Sequence, residues 1–163
     1  MATSCAVVSR SPEQTGNVGE LLARHLQPGD IVAFFGELGA GKTCMIQGIC
    51  RGLGVPKGAY ITSPTFVLMN RYQGRLPIYH FDFYRLACEE EIMGVGYEEF
   101  LFGEGVSLIE WADRAGDLIP EGCMQIRMRV VSPTERRIDI SAGGEGYEKR
   151  LSMWRAIEAA LGE

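Results

Sequence analysis

Long apolar runs are missing from this chain. No stretch approaches the roughly 18 apolar residues of a membrane-spanning helix, so no bilayer span is expected. The N-terminus does not lead from a basic segment into an apolar one, so no secretory signal is read there and a cytoplasmic setting is expected. A basic excess is missing too. Lys and Arg number 16 against 21 Asp and Glu, a net charge of −5. Proteins that hold nucleic acid unaided show the opposite balance, because neutralising phosphates supplies much of their affinity. Free-standing nucleic-acid binding is therefore not expected, although a local basic face is not excluded. The five cysteines, Cys5, Cys44, Cys50, Cys88 and Cys123, are odd in number and contain no C-x-x-C pair. That spacing argues against a disulfide framework or a zinc site and for reduced thiols in a cytosol. Internal repeats, low-complexity tracts and linkers are also absent.

What is present fits one domain over residues 1–163. A chain of this length buries roughly two thirds of its unfolded surface, enough for a core without staples. At 46% hydrophobic and 23% charged residues, the composition is that of an ordinary globular fold.

Cys5–Val8 reads as a first strand. Ser11, Pro12 and Gln14 then form a helix start: Ser11 as cap, Pro12 at the first helical position, and Gln14 to complete a capping box. Val18, Leu21, Leu22 and Leu26 follow at helical spacing, and Pro28-Gly29 is expected to stop that helix. Ile31–Phe35 is a continuous apolar run, the pattern of a strand covered on both faces. A helix is expected from Lys42 to about Leu53. Strands are expected over Thr65–Tyr72 and Leu76–Phe83, joined by a turn at Gln73-Gly74-Arg75. Cys88–Phe102 reads as short helices and loop, Val106–Trp111 as a strand, and Ala112–Leu118 as a short helix. Cys123–Val131 and Arg136–Ser141 alternate and predict an antiparallel hairpin. Gly146–Leu161 predicts a closing helix with Leu151, Trp154, Ile157 and Leu161 on one stripe. Together these predict an α/β fold: a P-loop NTPase-like mixed sheet flanked by helices, with a C-terminal antiparallel hairpin.

The chemistry concentrates in Gly36-Glu37-Leu38-Gly39-Ala40-Gly41-Lys42-Thr43, a full match to G-x-x-x-x-G-K-[ST] between an apolar strand and a helix. Its glycines allow backbone angles that side chains forbid, so loop N–H groups can converge on phosphate oxygens. The helix that follows directs its positive end to the same point. Lys42 is expected to reach the β- and γ-phosphates, and the Thr43 hydroxyl to ligate Mg2+. The loop alone leaves ATP and GTP open.

Such a site needs a carboxylate at the end of a neighbouring strand. Two apolar runs end on acids: Ile78–Phe81 on Asp82, and Val106–Ile109 on Glu110. One is expected to hold the metal or its water, and the other to orient the attacking water; their division of labour stays open. Thr62-Ser63-Pro64-Thr65 offers three hydroxyls. It reads either as a polar turn or as a segment that closes on the γ-phosphate and magnesium. His80 is expected to pack or hydrogen-bond in its strand. Arg85 is the nearest candidate for an arginine finger, with a structural salt bridge as the alternative.

The order GELGAGKT, SPTF, HFDFYRL, IEW resembles the TsaE family of small bacterial P-loop ATPases, from about Glu20 to Trp111. The family acts in making threonylcarbamoyladenosine beside the anticodon of tRNAs that read codons beginning with A. The resemblance implies ATP and Mg2+ as cofactors and TsaB and TsaD as partners, TsaD being the one that transfers the threonylcarbamoyl group. It also implies ATP hydrolysis that supports turnover of that complex, with tRNA met only through it. By motif, Lys42 and Thr43 take the phosphate and magnesium roles. Thr65 falls in a switch-like segment, Asp82 and Glu110 on the acidic active-site positions, and Trp111 on the family's tryptophan. The resemblance also implies support of Asp82 by His80. Ala112 stands where many members have proline, and the region from Cys123 onward carries no signature. Two other readings share the P-loop: a small-molecule kinase, and a nucleotide-gated binding subunit without turnover.

Overall fold

A computed structural model of the chain describes residues 3–64, 69–85, 89–94, 96–101, 103–142 and 151–161. The elements are β1 (Thr3–Ser9), α1 (Pro12–Ala23), β2 (Ile31–Phe35), α2 (Lys42–Gly52), β3 (Met69–Gln73), β4 (Pro77–Asp82), α3 (Glu89–Met93), α4 (Glu98–Leu101), β5 (Val106–Glu110), β6 (Met124–Val130), β7 (Arg136–Ala142) and α5 (Leu151–Leu161). The seven strands form one sheet in the order β1-β7-β6-β2-β5-β4-β3. Its centre, β6-β2-β5-β4, is parallel. Both wings are antiparallel, and β6 and β7 form the expected hairpin. No helix among the described residues is long and apolar enough to cross a membrane.

Local chemistry explains the first helix. The Ser11 side chain accepts from Gln14 N at 3.1 Å, and Gln14 Oε1 accepts from Arg10 N at 2.7 Å, one residue before the usual capping-box position. The helix ends at Ala23, short of the predicted Pro28-Gly29 stop, although Leu26 stays buried beyond it. Ala112–Leu118 is two 3-10 turns and not one α-helix, since Trp111 leaves β5 in the left-handed region and no side chain caps either turn. The described part of the closing helix, Leu151–Leu161, buries Ile157 and packs on β1 and α1; residues 143–150 lie outside the description.

Two apolar layers follow from the strand period. Val32, Phe34, Leu108 and Ile126 face α1 and α2, while Ile31, Ala33, Phe81 and Ile109 face α4 and the 3-10 turns. The helices α1 and α2 approach closely through glycine. A Cβ on Gly48 would lie 2.0 Å from the Gly16 carbonyl oxygen. Each mid-helix glycine costs roughly 1 kcal/mol relative to alanine, and the close approach is what it makes possible. It also fixes where α2 begins, and α2 begins at Lys42. The carboxyl ends of β2, β4 and β5 meet at one edge of the parallel centre, where open α/β sheets form their crevices.

Candidate nucleotide site

The loop leaves β2 at Gly36 and enters α2 at Lys42. Gly39 and Gly41 have φ of 82° and 101°, left-handed values that explain glycine at both positions. Lys42 is only 5% exposed. Its Nζ donates to the Gly36 carbonyl and, at 3.2 Å, to that of Glu37. It also lies 3.9 Å from the centroid of the Trp111 ring. Trp111 is the one non-glycine residue with positive φ (57°) among the described residues. Such a conformation costs on the order of 1–3 kcal/mol; here it ends β5 and folds the indole over Lys42. Tyr84 packs on the same indole, ring centroids 4.9 Å apart.

The two acids stand side by side. Asp82 and Glu110 are Cα partners across β4 and β5, and Glu110 is also the partner of Phe34 on β2. The parallel register thus brings both onto the face that carries the loop. Glu110 is 3% exposed and Asp82 8%. Thr43 Oγ1 donates to Glu110 Oε1 at 2.9 Å and lies 2.6 Å from Ser63 Oγ, which donates to Glu110 Oε2 at 2.7 Å. His80 Nε2 is 2.7 Å from the same Oε2. Sequence reasoning offered His80 to Asp82; the sheet turns it toward Glu110 instead. Asp82 Oδ1 accepts from Tyr84 N at 2.9 Å.

Environment separates the acids. Burial pushes the Asp82 carboxyl above the usual carboxylate range, and the Tyr84 N–H only partly offsets this. Burial also acts upward on Glu110, but the His80 ring and the Ser63 and Thr43 hydroxyls outweigh it and hold the carboxyl below that range. Burial lowers the Lys42 ammonium, against the pull of Glu110 and Asp82.

These groups line a cavity of about 440 Å³ that includes Lys42, Thr43, Ser63, Asp82, Glu110 and Trp111. A second cavity of about 220 Å³ shares Gly39, Gly41 and Cys44 with it and runs past Ser11, Thr15 and Arg136. Arg136 is fixed there by donating to Gly39 O at 3.2 Å and to Ser132 O at 2.9 Å. The donors fit magnesium. Thr43, Asp82 and Glu110 supply hard oxygen atoms, and Mg2+ keeps waters and phosphates in the rest of its octahedral shell. Among the described residues no cluster of three or more His, Cys, Asp or Glu could hold a metal ion.

Lys42, Thr43, Asp82 and Glu110 converge as expected. Thr65 lies outside the described residues; within the described part of its segment, Ser63 donates to Glu110. Arg85 is exposed and is not among the residues lining the cavity. The sequence shows Ser11 as a helix cap and Arg136 as a strand residue but neither as part of the site; Arg136 reaches the loop only through the pairing of β7 with β6.

Sheet order, loop and paired acids define a P-loop α/β protein. The family model described as "Threonylcarbamoyl adenosine biosynthesis protein TsaE" matches residues 9–138. The chain belongs to the TsaE family, whose members take part in tRNA threonylcarbamoyladenosine biosynthesis. It is 42% identical over 134 residues to the TsaE protein of Treponema pallidum, covering 82% of this chain and 98% of that protein. With the Bacillus subtilis protein it shares 38% over 139 residues, 85% of each. The crystal structure of Bacillus subtilis YdiB superimposes with a TM-score of 0.78 at 32% identity, covering 98% of this chain and 97% of that one.

Proposed function

We propose that this chain binds ATP with Mg2+ and hydrolyses it, and that this supports threonylcarbamoyladenosine modification of tRNA together with TsaB and TsaD. The observation that supports the reading most is the convergence of Lys42, Thr43, Asp82 and Glu110 on one cavity at the carboxyl ends of β2, β4 and β5. ATP as the nucleotide and the two partners are supported by family membership. The smaller cavity, which shares Gly39, Gly41 and Cys44 with the larger one, is the adjoining space for the ribose and base in this reading.

The loop N–H groups and the start of α2 hold the β- and γ-phosphates. Lys42 exchanges the Gly36 and Glu37 carbonyls for phosphate oxygens. Thr43 and Glu110 hold Mg2+, which neutralises charge on the phosphates when bound. Asp82 orients the attacking water. Full proton abstraction is not required, because positioning and charge stabilisation dominate phosphoryl transfer. Lys42 is the one cation among the described residues that line the larger cavity. A second positive charge supplied to such a site raises rates by about 10³–10⁵; turnover that is slow alone and rises with the partners is the expected behaviour.

The test is phosphate release from Mg-ATP by the purified protein, alone and then with TsaB, TsaD and tRNA. Slow release alone with clear stimulation supports the reading. Bound ATP without release in any mixture replaces it with a nucleotide-gated binding subunit. Phosphate transfer to an acceptor other than water replaces it with a kinase.

A further inference from the structure

Three hydrogen bonds meet on the Glu110 carboxylate, and its two oxygens share them unequally. Among the described residues Oε1 accepts from Thr43 alone, at 2.9 Å. Oε2 accepts from Ser63 at 2.7 Å and pairs with His80 Nε2 at 2.7 Å. An ionised carboxylate has no proton to give, so Nε2–H is the donor. His80 is the Cα partner of Leu108, which leaves its ring one diagonal step from Glu110 on the same sheet face.

The His80 ring has no other polar task. It is fully buried, and its Nδ1 has no hydrogen-bond partner among the described residues. Burying a polar atom unmatched costs stability, so an apolar residue of similar size would pack better. Packing alone therefore does not account for an imidazole at this position. Ser63 is placed with equal care. Gln47 Nε2 donates to Ile61 O at 2.9 Å, and Asn70 Nδ2 and Tyr72 OH donate to Thr62 O at 3.1 and 3.2 Å. The hydroxyl is thus presented by a loop tied to both α2 and β3.

We propose that His80 and Ser63 are positioning residues for magnesium: together they occupy Glu110 Oε2, so that Oε1, beside the Thr43 hydroxyl, is the oxygen turned to the metal or its water. This rests on the magnesium-nucleotide reading above. The residues that orient a ligating carboxylate typically alter metal affinity by about 10–100-fold when removed, and His80 and Ser63 have that role here.

The experiment is calorimetric titration of ADP in EDTA and in Mg2+, with wild type, His80→Leu, His80→Gln, Ser63→Ala and Ser63→Thr. Thermal melts establish that each variant folds. His80→Leu and Ser63→Ala are expected to lose about 10-fold of the magnesium-dependent gain in ADP affinity, while affinity in EDTA is unchanged. His80→Gln keeps an N–H donor and Ser63→Thr keeps a hydroxyl, and both are expected to restore the gain. Should His80→Leu fail to fold, the Ser63 pair decides on its own. A normal gain in a folded His80→Leu, or in Ser63→Ala, overturns the proposal and leaves the magnesium-nucleotide reading standing. Equal losses in EDTA and Mg2+ also overturn it, since the residues would then act on general structure. ADP binding with no magnesium gain in wild type overturns the magnesium part of that reading and the proposal together, and no ADP binding at all overturns the nucleotide reading itself.

Discussion

Asp82 and Glu110 face each other as Cα partners on adjacent strands, yet their carboxyl groups are displaced in opposite directions from the usual carboxylate range. Both are buried. Among the described residues only Glu110 gathers three side-chain donors.

That contrast predicts opposite effects on stability in the nucleotide-free protein. Glu110, held low, contributes stability above its unfolded pKa that is lost as pH falls through its folded value. Asp82, held high, is a burden once ionised, and the burden disappears as pH falls below its unfolded pKa. Asp82→Asn is therefore expected to raise the melting temperature at pH 7 and Glu110→Gln to lower it. Both differences should shrink toward pH 3. Melting curves from pH 3 to 8 measure this, and shifts of the same sign at pH 7 would contradict it.

The indole of Trp111 lies over the Lys42 ammonium, and in the proposed function that ammonium turns toward phosphate when nucleotide enters. Trp111 emission is expected to change on adding ATP with Mg2+, measured in a Trp154→Phe background. A silent titration at saturating nucleotide would show that the ammonium keeps its place.

Gly48→Ala puts a methyl group against the Gly16 carbonyl oxygen. Overpacking of this kind costs typically about 1–3 kcal/mol, more than the roughly 1 kcal/mol gained in helix propensity. Gly58 has nothing within 4 Å of an added Cβ, so Gly58→Ala should stay within about 0.5 kcal/mol of wild type. Urea unfolding separates the two. Equal midpoints would mean that the helices are not held at this distance.

Burial pushes the thiols of Cys5 and Cys50 up to about 12 and that of Cys123 to about 11. At pH 8 these three are expected to resist iodoacetamide, because the thiolate is the nucleophile. Cys44 is half-buried and lines both cavities, so it should label faster and be protected by ATP. Peptide mass mapping reads each site, and fast labelling of Cys50 would contradict its burial.

The parts of this site visible in the sequence are those made by neighbours along the chain. GELGAGKT needs only a strand before it and a helix after it, and the neighbouring runs Ile31–Phe35 and Lys42–Gly52 supply them. Asp82 and Glu110 stand out because each ends an apolar run, but their facing positions depend on β4 pairing with β5. That pairing is a parallel contact that no local pattern specifies. The same holds for Arg136, which reaches Gly39 from the far wing of the sheet. Ser63 and His80 were visible as residue types without a direction. The register that turns His80 to Glu110, and the loop bonds that present Ser63, exist only in three dimensions. Trp111 reads as the last residue of a strand, whereas its left-handed backbone makes it a cover for Lys42.

The central claim is that the loop from Gly36 to Thr43 holds the phosphates of a nucleotide. Calorimetric titration of Mg-ATP into wild type and Lys42→Ala tests it most directly. A hydrogen bond to a charged group contributes about 1.5–3 kcal/mol, so Lys42→Ala is expected to lose about 10-fold to 100-fold in affinity while the fold is kept. Unchanged binding in a folded Lys42→Ala would contradict the account.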